Sequence, residues 1–312
     1  MNNSSQIRTL AIVYRLFTAI GMLLLLAAYF SPVWWVSLEA PQYPKATFPD
    51  GIRIHFHFTG VHNGCTEQES EEIEIGEGID CVEEMDTINH YVGMAPTSAG
   101  GPIERGLSHF SFSILGLMLL VFMMPNGRKQ VYVLGGGFAA IMAWMLVSLY
   151  GQGHLETIAA GFAEGMGQFF NDKKQIAVET ENLKRNAGMV VGVYGLIMAG
   201  ITFAIWKAGN NLRWFLALVP AGLSVIFVID YAAWLYWFGH NLHPWGAFSV
   251  KPFMPTVFGD GKVAQFTTHS YPHYGYFMLM GVTLVLLLAI LLRRKMYRLI
   301  AEQDATEGAA KE

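Results

Sequence analysis

Six blocks of almost uninterrupted apolar residues, at 10–30, 107–124, 131–150, 188–206, 214–238 and 273–292, constrain this chain more than any other feature. Each is near the roughly 20 residues that carry an α-helix across hydrocarbon, where the backbone must satisfy its own hydrogen bonds. The apolar residues fill these blocks on every side, so the pattern is not the single stripe of a surface helix. Charge is scarce to match: Asp, Glu, Lys and Arg make up 14% of the chain, against about a quarter in soluble domains. The expected fold is a mainly α membrane protein, a six-helix transmembrane bundle. The first block is longer than the h-region of a signal peptide and has no small-x-small site before Ser31-Pro32, so it reads as a retained anchor.

Lys and Arg in the short connections set the expected orientation. Arg8 and Arg15 accompany the first block, Arg128 and Lys129 fill the turn between blocks two and three, and Lys207 and Arg213 flank the turn between four and five. Arg293, Arg294, Lys295 and Arg298 follow the sixth. A six-span path puts all four groups on one side, with both termini cytoplasmic. The division that follows is an anchor at 1–30, an outer segment at 31–106, a transmembrane hairpin at 107–150, an outer surface helix in 151–187, a second hairpin at 188–238, an outer loop at 239–272, and a last span with its tail at 273–312. The bases of the middle outer segment, Lys173, Lys174, Lys184 and Arg185, run against this orientation, but five acids accompany them. The net charge of −4 and the lack of any RNP, zinc-finger or arginine-rich pattern exclude a nucleic-acid partner.

Sorted by side, all ten histidines fall in or at the mouth of the outer segments. The stretch Ile52-Arg-Ile-His-Phe-His-Phe-Thr59 alternates apolar and polar residues, which predicts a half-buried strand with His55 and His57 on one face, as two ligands of one metal or as a solvent-facing pair. The segment is thus expected to be a small mixed α/β unit between the first two spans. Asp86 to Met94 reads as the start of a helix on which His90 and Met94, four apart, share a face; imidazole with thioether suits Cu(I), and the same spacing also serves plain packing. His240 and His243 follow the fifth block and are further metal candidates. His109, His154 and His273 stand at outer ends of spans, where two imidazoles hold a b-type haem in an alternative reading.

Cys65 and Cys81, the only cysteines, are read as a disulfide of an oxidising compartment, with a thiolate copper site as the minor alternative. Ten acids from Glu67 to Asp86 make a solvated loop or a docking face for a basic partner. Asp230 is the one acid well inside a block, a site for proton transfer or quinol oxidation, or a plain hydrogen-bond acceptor. Gly-x-Ser-x-Gly, P-loop, His-Glu-x-x-His and dinucleotide signatures are missing, which weakens hydrolase, ATPase and nicotinamide-enzyme readings.

Ala40-Pro-Gln-Tyr-Pro44, Met85-Asp-Thr-Ile-Asn-His-Tyr-Val-Gly-Met94 and the run from Gly239-His-Asn-Leu-His243 to Pro255 resemble a group of bacterial multi-pass membrane proteins encoded beside nitrous oxide reductase and its copper-delivery genes. The chain departs from that group at His243, where an acidic residue is usual. The resemblance implies the bacterial inner membrane, a copper or redox protein of the membrane or periplasm as partner, and an accessory or electron-transfer role more than a stand-alone enzyme. By that implication His90 and Met94 are the leading copper ligands, followed by His240 and His243. The expected function is periplasmic copper or redox handling linked to respiration. The alternatives are a haem b, quinol-oxidising subunit near Asp230, and a scaffold without metal.

Overall fold

The computed structural model describes residues 3–65, 79–208, 212–244, 246–247, 250–263 and 265–309. Most of the acidic run, and Trp245, Phe248 and Ser249 of the last outer motif, lie outside them. The chain is mostly helical, and its described residues include six helices long and apolar enough to cross a membrane and one small antiparallel sheet.

Each apolar block carries one of these helices: α1 (Asn3–Tyr29), α3 (Pro102–Phe122), α4 (Arg128–Leu146), α6 (Lys173–Ala208), α8 (Leu223–His240) and α9 (Tyr274–Ala309). Shorter α-helices among the described residues are α2 (Cys81–Tyr91), α5 (His154–Phe169) and α7 (Phe215–Ala221). Local chemistry fixes several ends. Asp80 accepts from the Val82 N–H at 2.9 Å and starts α2, Pro102 occupies the first turn of α3, and Asp172 caps α6 through the N–H groups of Lys174 and Gln175, both at 3.1 Å.

Two helices depart from the expected boundaries. α6 begins at Lys173, inside the segment expected to be only a surface helix, because its cap lies there and no breaker separates that polar start from the apolar run. The fifth block is not one helix. Pro220 lies in the last turn of α7, and α8 starts anew after Gly222, since proline cannot donate to the preceding turn.

The sheet has the order β3-β2-β1-β5-β4, with β1 (Trp34–Glu39), β2 (Ile52–His57), β3 (Gly60–Asn63), β4 (Gly259–Val263) and β5 (Phe266–Pro272). β2 lies where alternation predicts it. The expected confinement of the α/β unit to the segment between the first two spans is corrected: the β4–β5 hairpin comes from 239–272 and pairs with central β1, Trp34 opposite Pro272 and Leu38 opposite Thr268. The cause is chain continuity. α1 runs into β1 and β5 runs into α9; the His273 N–H donates to Val33 O and the Gly275 N–H to Pro32 O, both at 3.0 Å. A side chain at 275 would collide with that carbonyl. α1 and α9 pack closely below, where Gly21 admits Leu286.

The bundle core gathers Tyr14, Phe122, Leu134, Leu216 and Leu286, all fully buried. A second cluster joins the sheet to α2 through Leu38, Ile52, Ile54, Met85 and Ile88. A third ties the end of α2 to α5 and α8 through Met94, Met166, Phe170 and Phe238. Outward faces remain apolar and exposed, with Leu23, Leu196, Ile229 and Leu284 each above 60%, which fits a lipid environment and not water.

Candidate functional site

Between the sheet and the helices lies a cavity of about 480 Å³. Its roof is the inner face of the sheet, where alternation turns Val36, Leu38, Ile54 and Phe56 inward. Phe112 and Leu115 of α3 face Ile226 and Phe227 of α8 across its lower part. A few polar groups interrupt these walls: Glu104, Arg105 and Ser111 of α3, Tyr194 of α6, and Asp230 with Trp234 of α8.

Most of these are tied down. The Trp234 Nε1–H donates to Glu104 at 3.3 Å, Arg105 donates to Ser98 O at 2.5 Å, and the hydroxyls of Tyr194 and Ser111 share a 2.7 Å hydrogen bond. Asp230 is different: it is exposed, and among the described residues its carboxylate has no hydrogen-bond or ion-pair partner, while Glu104 lines the same cavity. Apolar walls with a few convergent polar groups are the usual form of a small-molecule site.

The histidines separate into groups the sequence does not show. On β2 and β3, His55 and His57 share a face with His62, which sits directly opposite His55. The rings of His57 and His62 lie 4.5 Å apart, and that of His55 is 4.9 Å from His273. Burial first, and the neighbouring imidazoles second, push His55 and His57 down to about 4. His273 is lowered too, by burial and then Arg53. On the same face His269 donates to Asp260 at 2.6 Å, and Tyr271 does so at 3.0 Å; these bonds hold the Asp260 carboxyl below the usual carboxylate range.

His109 and His154 meet elsewhere, with rings 5.6 Å apart. His154 Nε2 is 3.1 Å from Gly106 O. His273 is on the sheet, so the three residues of the haem reading do not form one group, and none of them borders the large cavity.

His90 and Met94 require a correction. α2 ends at Tyr91, and Gly93 turns the chain with φ of 79°, so Met94 lies beyond the helix and the two do not share a helix face. The turn is held by the loop after α8, where the His243 N–H donates to Gly93 O at 2.7 Å. The Met94 side chain is buried in the cavity wall, whereas His90 packs on Phe170 at 5.4 Å between ring centroids with its Nδ1 buried and unpartnered among the described residues. His240 and His243 also part: His240 stacks on Tyr236 at 3.9 Å and bonds that residue's carbonyl, while His243 packs on Phe170 and lies 3.4 Å from Gln175.

Cys65 and Cys81 form a disulfide. It anchors the start of α2 to the chain leaving β3, beside Asn63, whose Oδ1 accepts from the N–H groups of both cysteines. Among the described residues, no three His, Cys, Asp or Glu side chains converge on a single metal-sized point.

Sequence reasoning missed Glu104, Arg105, Tyr194 and His62. Glu104 and Arg105 stand at the loop edge of the second block and read as ordinary flanking charges, and a single tyrosine in an apolar block carries no signal. His62 had one available clue: a Thr-Gly step after the alternating strand invites a hairpin. No protein-family model matches the chain, and no curated protein or solved structure is similar to it.

Proposed function

We propose that this chain is a multi-pass protein of the bacterial inner membrane that binds a quinol in the cavity beneath its sheet, as a component of a respiratory redox system. The observation that carries the reading is the pair Asp230 and Glu104 in a mainly apolar cavity, Asp230 without a partner of its own among the described residues. A quinol matches that layout. Its head group offers hydroxyl protons to the carboxylates, and its isoprenoid tail runs along Phe112, Leu115 and Ile226 toward the apolar exterior.

Oxidation of the quinol releases two protons and two electrons. Asp230 and Glu104 take up the protons, and the electrons leave to a partner redox protein docked at the sheet end. The orientation has both termini in the cytoplasm, supported by the basic connections opposite the sheet. The disulfide supports an oxidising compartment around the sheet.

The test is titration of the purified protein with decylubiquinol, read as quenching of Trp234 and its tryptophan neighbours. Saturable quenching is expected, weakened about tenfold by Asp230→Asn, the worth of one charged hydrogen bond, and abolished by Ile226→Trp, which fills the cavity. Quenching indifferent to both substitutions sinks the reading.

A further inference from the structure

The corner of the sheet made by β2 and β3 carries a second feature, beside the cavity that His57 and Gly60 help to line. His55 and His57 are two apart on β2 and therefore share a face, and His62 is the cross-strand neighbour of His55. Direct cross-strand neighbours bring their Cβ atoms within about 5 Å. Gly60 stands opposite His57 with no side chain, which leaves the His57 ring free to lean on His62, 4.5 Å away. Three imidazoles thus occupy adjacent positions of one small surface.

Their nitrogens are also available. Among the described residues no hydrogen bond takes a ring nitrogen of His55 or His57, and His62 has only a long 3.5 Å contact with Thr59. Arg53, the cation on this face, is drawn aside over Trp35 at 4.6 Å and toward Asp50 at 3.5 Å. His273 accepts the Tyr274 N–H at its Nδ1, so it supports the His55 ring rather than completing the set.

We propose that His55, His57 and His62 form a three-imidazole site for a late first-row divalent transition-metal ion. The rings are grouped without being aimed at one point; binding requires rotations about χ1 and χ2 that carry their nitrogens to the roughly 2 Å of a metal–imidazole bond. Cu2+ is the sharpest probe, because it heads the affinity order for nitrogen sites.

The full chain in detergent is titrated with Cu2+ alone against a chromogenic chelator and followed by electron paramagnetic resonance. One tight ion per chain is expected, with hyperfine splitting from several nitrogens. The double variant His57→Ala/His62→Ala loses it, and His240→Ala keeps it. Exposed His62→Gln, which leaves the sheet intact, weakens binding by about tenfold or more and leaves the metal-free melting temperature unchanged. No tight ion, a signal that survives the double variant, affinity unchanged in His62→Gln, or equal loss in His240→Ala overturns the proposal.

Discussion

At the basic end of the bundle, several polar side chains are committed to structure. Arg293, 4% exposed, donates to Met124 O at 3.1 Å and Asn126 Oδ1 at 2.7 Å and lies 4.3 Å over the Phe122 ring. Arg15 donates to Met123 O at 3.1 Å, and Tyr297 accepts the Asn126 N–H at 2.8 Å. Every one of these bonds closes the turn between α3 and α4. At the sheet end, by contrast, Asp230, His55 and His57 have no hydrogen-bond partner among the described residues, and Asp230 and His57 line the cavity. Unpartnered polar atoms are not confined to that end, since Gln130 Oε1 and Arg293 Nε are also buried without a hydrogen-bond partner among the described residues; what distinguishes the sheet end is that unpartnered groups there line a cavity that a ligand can enter.

That contrast can be broken at three points. The largest effect belongs to the disulfide, which ties the start of α2 to the chain leaving β3: Cys65→Ser/Cys81→Ser lowers stability by about 3 kcal/mol, the chain-entropy worth of a loop this size, and the loss shows as earlier melting that added reductant reproduces in the parent. Arg293→Ala should cost about 2 kcal/mol, because it strands buried acceptors in the α3–α4 turn. Thermal unfolding in detergent measures it, and Arg293→Lys restores only part, since an ammonium lacks the planar fork that reaches two acceptors.

The smallest effect is acid sensitivity. His55 and His57 are held down to about 4 from an ordinary 6.5, so between those values the unfolded chain binds protons that the folded chain does not. Their contribution is full above about pH 6.5 and is lost as the pH falls toward 4. Both residues are partly exposed, so solvent moderates the slope. His55→Asn and His57→Asn should flatten the melting temperature between pH 6.5 and 4, whereas His240→Asn leaves it unchanged.

Much of the architecture is legible in the chain itself. The six apolar helices follow from block length, β2 from strict alternation, and the disulfide from a count of two cysteines. The break at Pro220 and Gly222 was also written in the sequence, yet the apolar run on both sides concealed it. His90 and Met94 show the opposite failure: a four-residue spacing has meaning only while the helix lasts, and Gly93 ends it first.

What the sequence determined by itself was everything local: which segments are apolar enough to be spans, where a strand alternates, and how charge divides between the two ends. What only the tertiary structure decided was which distant residues meet. β1 pairs with a strand more than 200 residues later, α3 and α8 set Glu104 across from Asp230, and β3 folds back to lay His62 opposite His55. Period and composition report a residue's immediate neighbours, whereas a binding site depends on the path by which the chain returns, and that path is fixed by packing between elements that carry no mark of each other in sequence.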